Sequence, residues 1–260
     1  MEIQRKEIEP EPDWQLKIIF QRHGISYKKG NTPDDDPNLL GWLTPDGIAQ
    51  TRDKAAKTAE KLIKDSGGHQ IQVLFLNSPA RYLEIYGARA QQTAEVAATE
   101  VGKFSAESEI IRLAKTQGFT RPYPSINEFH LDTNEEEVLE RRYGGNFWEL
   151  FYNMSDQLQE LDNKTILAES SIEVSNRASK TLRTIFRFWR KCRELNPDKK
   201  FVAWCTTHGD VIRSFLQHGM GIGEKIKGWR SGYSEVFEFN VTDKGILSCD
   251  FQGQNYSIQL

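Results

Sequence analysis

The chain has 260 residues, of which 38% are hydrophobic and 27% are charged. This length suffices for one sizeable α/β domain with a full core, and the composition is that of a globular protein rather than a disordered one. The formal net charge of −3 gives no overall basic field. We therefore do not expect nucleic acid to be the partner.

The cysteines and the N-terminal residues indicate the cellular compartment in which the protein is expected. Cys192, Cys205 and Cys249 are widely spaced and odd in number, which argues against a disulfide framework. The N-terminus has no apolar core like that of a signal peptide, and no stretch approaches the roughly 20 apolar residues of a membrane span. The sequence therefore predicts a cytoplasmic protein without a membrane partner.

The chain is predicted to begin with an arm. Residues 1–14 are rich in Glu and Pro, which favours a mobile segment. No internal repeat or second boundary follows, so residues 15–260 are interpreted as a single domain with loop insertions.

The first strand and helix carry clear local signals. Leu16 to Gln21 is an apolar run typical of a buried strand, and it leads into Arg22-His23-Gly24. After a polar loop, Thr44 as N-cap and Pro45 at the first helical position predict a helix to about Lys64.

Strands and helices alternate along the remaining chain. We predict strands over 71–76, 110–113 and 201–206, helices over 89–102, 135–160 and 169–194, a long loop over 114–135, a helix after Gly209, and an antiparallel hairpin over 234–251. This alternation predicts a three-layer α/β/α sandwich with a mainly parallel central sheet.

Polar residues of one chemical kind follow three of the predicted strands. Arg22-His23 follows the first, Ser78 follows the second and leads to Arg89, and His208 follows another. In a parallel sheet the carboxyl ends of the strands line one crevice, so these side chains can converge. Guanidinium groups bind phosphate oxygens, and a neutral imidazole can attack phosphorus, which indicates a phosphate pocket.

Several segments together resemble a known family. They are IIFQRHG (18–24), LTPDGIAQ (43–50), ARAQQTAE (88–95), Ala168-Glu169-Ser170 followed by Arg177, and AWCTTHGDVIR (203–213). In this order they resemble the motifs of the histidine phosphatase, or phosphoglycerate-mutase-like, superfamily, over roughly residues 16–217. The resemblance implies that superfamily's fold and a phosphohistidine mechanism.

The resemblance also implies residue roles. His23 would be the nucleophile, while Arg22, Arg89 and His208 would hold the phosphoryl oxygens. Ser26 and Asn31 lie where the family places small polar phosphate contacts. No metal or cofactor is implied at the phosphate site.

Two of these residue roles could be filled by either of two residues. For the carboxylic acid that protonates the leaving oxygen, Glu128 lies in a segment similar to one acid motif of the family, and Glu140 lies in the Glu-Arg-x-Tyr-Gly pattern of the mutases. We favour Glu128, which follows a proline-rich loop. Arg81 is nearer to Ser78 than Arg89 is, but Arg89 is followed by the matching Ala-x-Gln-Thr-Ala-Glu segment.

Three functions fit this pattern. The leading hypothesis is a phosphomonoester hydrolase acting on a phosphorylated small molecule or a phosphoprotein. A cofactor-dependent phosphoglycerate-type mutase would use the same pocket. A non-catalytic scaffold would have the same fold and would bind phosphate without turning over a substrate. The sequence does not select the substrate, and a homodimer is one possible assembly.

Overall fold

The computed structural model describes residues 14–28, 30–79, 89–119, 171–226 and 228–260. The strands are β1 (Leu16–Arg22), β2 (Ile71–Asn77), β3 (Ser108–Lys115), β4 (Lys200–Thr207), β5 (Val236–Val241), β6 (Ile246–Phe251) and β7 (Gln254–Gln259). The α-helices are α1 (Pro45–Asp65), α2 (Arg89–Gly102), α3 (Ser171–Leu195) and α4 (Gly209–Ser214), and α4 continues into a π-helical turn over Phe215–Gly219. Within these ranges, none of the helices combines the length and apolar character that a bilayer crossing requires.

The described strands form one seven-stranded sheet in the order β3-β2-β4-β1-β5-β6-β7. β1, β2, β3 and β4 run parallel to one another, while β5, β6 and β7 are antiparallel additions beside β1. β4 therefore lies between β1 and β2, although it comes much later in the chain. This order brings the carboxyl ends of β1, β2 and β4 to one edge of the sheet.

Helices cover both faces of the sheet. Alternate residues of the central strands point to opposite sides, so Ile19 packs in the cluster that holds Ala55 of α1 and Ala97 of α2. Ile18 packs on the other face, in the cluster that includes Leu182 of α3 and Val211 of α4. The predicted three-layer sandwich with a mainly parallel central sheet is confirmed.

Phe20 fixes the end of β1 that leads into the Arg-His-Gly motif. Its fully buried ring meets Phe119, Phe215 and Phe239 at centroid distances of 5.2, 5.5 and 5.3 Å, each with an edge-to-face tilt. Such aromatic pairs contribute energy beyond their buried area. The strand is therefore held tightly two residues before Arg22.

Most predicted elements within the described residues are present. The strands are slightly longer than predicted, and residues 114 and 115 belong to β3 rather than to the predicted loop. The C-terminal hairpin is confirmed as β5 and β6, but the third antiparallel strand, β7, was missed. The predicted helix over 135–160, and residues 120–135 of the predicted loop, lie outside the described residues.

Trp14, the last residue of the predicted N-terminal arm, packs against the domain. Trp14 is only 6% exposed, belongs to the cluster under α1, and donates a hydrogen bond from Nε1 to the carbonyl of Asp65 at 3.1 Å. The side chains of Lys17 and Lys200 lie over its ring. The acidic composition of the arm made this buried tryptophan hard to recognise from the sequence. Residues 1–13 lie outside the described residues.

Candidate active site

Two histidines meet where β1 and β4 end. Arg22 pairs with Thr207 in the parallel ladder, and the backbone N–H of His23 donates to the carbonyl of Thr207 at 2.9 Å. The rings of His23 and His208 lie with their centroids 5.0 Å apart, and both residues are more than 90% buried. The sheet therefore brings together two histidines that are far apart in the sequence.

The hydrogen bonding of His23 defines its reactive atom. Its Nδ1 lies 2.7 Å from the carbonyl oxygen of Gly24. Because a carbonyl oxygen only accepts hydrogen bonds, Nδ1 carries a hydrogen, and in the neutral ring the lone pair then resides on Nε2. This tautomer makes Nε2 the atom that can act as a nucleophile.

The first turn of α2 is attached to the loop that follows His23. Nη1 of Arg89 donates to Oγ of the buried Ser26 at 3.4 Å. One turn further along the helix, Oγ1 of Thr93 accepts from the backbone N–H of Gly24 at 3.1 Å and donates to the carbonyl of Arg89 at 2.7 Å. Arg89 and Ser26, both predicted as phosphate contacts, thus lie together beside Gly24.

The start of α1 packs directly against the same loop. Thr44 caps the helix by accepting from the N–H of Gly47 at 3.0 Å, as predicted. A Cβ atom on Gly47 would lie 2.1 Å from the carbonyl oxygen of Ile25, and one on Gly24 would lie 2.8 Å from the carbonyl oxygen of Gly47. Glycine at these two positions permits the close approach of helix and loop.

Residues 231–235 complete the surroundings of β1's end, and the sequence reasoning missed them. Nη1 of Arg22 donates to the carbonyl of Ser231, and the guanidinium carbon lies 4.1 Å from the centroid of the Tyr233 ring. The N–H of Ser234 donates to the carbonyl of His23 at 3.3 Å. The Ser-Gly-Tyr-Ser sequence before the hairpin is a turn signal, but nothing in it indicates contact with Arg22.

The other polar residues considered for the site either make local contacts or lie outside the described residues. Asn31 is exposed, and its side-chain oxygen accepts a hydrogen bond from the backbone N–H of Lys28, a contact that stabilises the turn. The hydroxyl of Thr207 donates to the carbonyl of Phe119 at 2.6 Å, a structural contact. Glu128, Glu140 and Arg81 lie outside the described residues.

The buried cysteines, unlike the histidine pair, are expected to be chemically unreactive, and this difference can be tested. Burial raises the pKa of the Cys205 thiol well above its ordinary value. Burial, with a smaller contribution from the carboxylate of Asp250, raises the pKa of Cys249 to about 11. Because the thiolate is the reactive form, raised pKa values make these thiols unreactive near neutral pH.

We expect iodoacetamide to leave Cys205 and Cys249 of the folded chain unmodified near neutral pH and to leave turnover unchanged. Alkylation of Cys249 should rise only as the pH approaches about 11. Peptide mass spectrometry beside a turnover assay measures both, with the urea-unfolded chain as the positive control. Alkylation of Cys205 accompanied by loss of turnover would instead indicate a cysteine in the chemistry.

Comparison with known proteins finds similarity in structure only, since no protein-family model and no curated protein matches the chain. A structure of a mycobacterial hydrolase is 12% identical and has a TM-score of 0.53, over 92% of this chain and 98% of its own. A mycobacterial glucosyl-3-phosphoglycerate phosphatase is 12% identical with a TM-score of 0.50, over 87% of this chain and 90% of its own. The YhfR protein of Bacillus stearothermophilus is 15% identical with a TM-score of 0.50, over 92% of this chain and 97% of its own.

At such low identity the likeness concerns the fold, and it extends over most of each chain. The chain therefore shares the fold of these structures, and its three-layer α/β/α sandwich with a mainly parallel central sheet is the fold class that the sequence predicts.

Proposed function

We propose that this chain is a cytoplasmic phosphomonoester hydrolase that forms a phosphohistidine on His23. The observation that carries the proposal is the buried pair of His23 and His208, in which the hydrogen bond from Nδ1 of His23 to Gly24 leaves the lone pair on Nε2. A scaffold that only binds phosphate has no need for this arrangement. A neutral imidazole with a defined tautomer is the requirement for nucleophilic attack.

The proposed reaction proceeds in two displacements. Nε2 of His23 attacks phosphorus and the bond to the leaving oxygen breaks, while a carboxylic acid gives that oxygen a proton. We assign the acid to Glu128, with Glu140 as the alternative. A water molecule, activated by the same carboxylate, then attacks the phosphohistidine and releases inorganic phosphate, which restores His23.

The surrounding cations stabilise the charge that accumulates on the phosphoryl oxygens during both displacements. Arg22 and His208 follow the two neighbouring strand ends, and Arg89 approaches from α2 through its contact with Ser26. Groups held in advance by backbone pairing need little rearrangement as the charge develops. Asn31 is the weakest of the assigned contacts because its side chain is engaged at the exposed turn.

The substrate class that we propose to test first is phosphorylated small metabolites, followed by phosphoproteins. One structure of the same fold is that of a phosphatase named for glucosyl-3-phosphoglycerate, a phosphorylated small metabolite, which supports this order. The loops that follow the strands control selectivity in such sheets. A panel of phosphorylated metabolites is therefore the appropriate screen.

We expect the purified chain to release inorganic phosphate from p-nitrophenyl phosphate and from members of that panel. We also expect no interconversion of 3- and 2-phosphoglycerate when the bisphosphate is supplied, because hydrolysis competes with return of the phosphoryl group. Colorimetric phosphate release and a coupled mutase assay measure the two activities. Isomerisation exceeding hydrolysis would favour the mutase, and phosphate binding without any turnover would favour the scaffold.

A further inference from the structure

Tyr233 contacts two residues of the proposed phosphate pocket. Its ring lies over the Arg22 guanidinium, 4.1 Å from ring centroid to guanidinium carbon. The same ring lies 5.7 Å, centroid to centroid, from the ring of His23, at an interplanar angle of 55°. A single aromatic side chain therefore contacts both the predicted nucleophile and its neighbouring cation.

The other surroundings of Arg22 explain why this contact matters. Nη1 already donates to the carbonyl of Ser231. Nε is buried with no hydrogen-bond partner among the described residues, and a Cβ atom on Gly209 would lie 3.3 Å from it. Gly209 thus leaves just enough room for the guanidinium, and the Tyr233 ring contacts the planar group directly.

The backbone around Tyr233 holds the ring in place. Ser234 adopts a left-handed conformation with φ of 55°, and its buried hydroxyl lies 2.9 Å from Oγ1 of Thr51 in α1. Its N–H donates to the carbonyl of His23, and the N–H of Arg22 donates to the carbonyl of Glu235 at 3.0 Å. The segment carrying Tyr233 is therefore bonded on both sides to the strand end that it covers.

We propose that Tyr233 is a positioning residue that orients the Arg22 guanidinium toward the phosphoryl oxygens through its aromatic face. The proposal rests on the phosphatase function proposed above and adds a residue to it. A guanidinium that stacks on an aromatic ring keeps its plane, and its outward-facing N–H groups can then bind an oxyanion without first becoming ordered. The tyrosine hydroxyl has no part in this role.

The test compares the affinity for inorganic phosphate, measured by calorimetry, with kcat/KM for p-nitrophenyl phosphate. We expect Tyr233→Leu to lower both by about tenfold, the size expected for loss of a partly buried cation–π contact. Tyr233→Phe keeps the ring and should restore both to within about threefold of the wild type. Tyr256→Leu is the matched control, because that ring also lies beside a cation, Lys225 at 5.6 Å, but on β7.

A double-substitution cycle separates positioning from a general structural effect. In an Arg22→Met background the cation is gone, so adding Tyr233→Leu should change phosphate affinity by less than about twofold. Fully additive losses, or a Tyr233→Phe variant as impaired as Tyr233→Leu, would overturn the proposal. Thermal unfolding of each variant, unchanged from the wild type, shows that the fold is retained.

The two readouts also distinguish this proposal from the proposed function. If the wild type binds phosphate but hydrolyses no phosphomonoester, the hydrolase proposal fails, while the phosphate affinities still decide the role of Tyr233. If the wild type does not bind phosphate, the pocket itself is refuted and the role of Tyr233 with it.

Discussion

The His23→Ala variant is expected to lose at least about a thousandfold in phosphomonoester hydrolysis, because no other group can form the covalent intermediate at that position. Brief exposure of the wild type to a labelled substrate, followed by rapid denaturation in alkali, should trap an alkali-stable, acid-labile phosphoenzyme. The variant should trap none. Phosphate release and the trapped label are measured on the same preparations.

The fold should survive this substitution. The backbone of residue 23 donates to Thr207 and accepts from Ser234, and alanine keeps both hydrogen bonds. His69→Ala is the control, since that exposed imidazole uses Nδ1 to contact the carbonyl of Asp198 at 2.9 Å, away from the histidine pair. Near-wild-type turnover in a well-folded His23→Ala chain would refute the mechanism.

The second large effect concerns the carboxylic acid. We expect Glu128→Gln to reduce hydrolysis of an alkyl phosphate by about a hundredfold to ten-thousandfold, the contribution of a general acid. Hydrolysis of p-nitrophenyl phosphate should fall much less in its first displacement, because that leaving group departs without a proton. Measuring the burst of p-nitrophenol separates this step from the water attack that follows.

Glu140→Gln is the competing variant, and Glu136→Gln is a control from the same acidic run. We expect both to hydrolyse the alkyl phosphate at close to the wild-type rate. The opposite pattern, with Glu140→Gln impaired and sensitive to the leaving group, would move the acid to the Glu-Arg-x-Tyr-Gly segment. Unimpaired hydrolysis by both Glu128→Gln and Glu140→Gln would contradict both assignments.

The sequence was most informative where local chemistry and tertiary structure agree. The apolar runs that became β1, β2 and β4 were visible because these strands are buried on both faces. The cap at Thr44 was equally plain, since a hydroxyl before proline at a helix start has one usual role. Convergence of His23 and His208 followed from a general property of parallel sheets.

Other features depend on contacts between distant segments, which no local pattern encodes. β7 is a polar edge strand with mostly exposed side chains, so it lacks the apolar alternation that identifies a strand. Trp14 is an isolated aromatic after an acidic stretch, and only the tertiary structure shows it beneath α1. Tyr233 meets Arg22 because the turn before β5 crosses the end of β1.

The position of β1 also has a consequence for how the protein is made. Both neighbours of β1 in the sheet, β4 and β5, are encoded near the far end of the chain. During synthesis β1 leaves the ribosome before both of these neighbours, and it cannot pair with them until they have followed. Pairings of such long sequence separation form slowly and expose apolar strands meanwhile. The strand that leads into the proposed nucleophile is thus synthesised well before the strands that complete the proposed pocket.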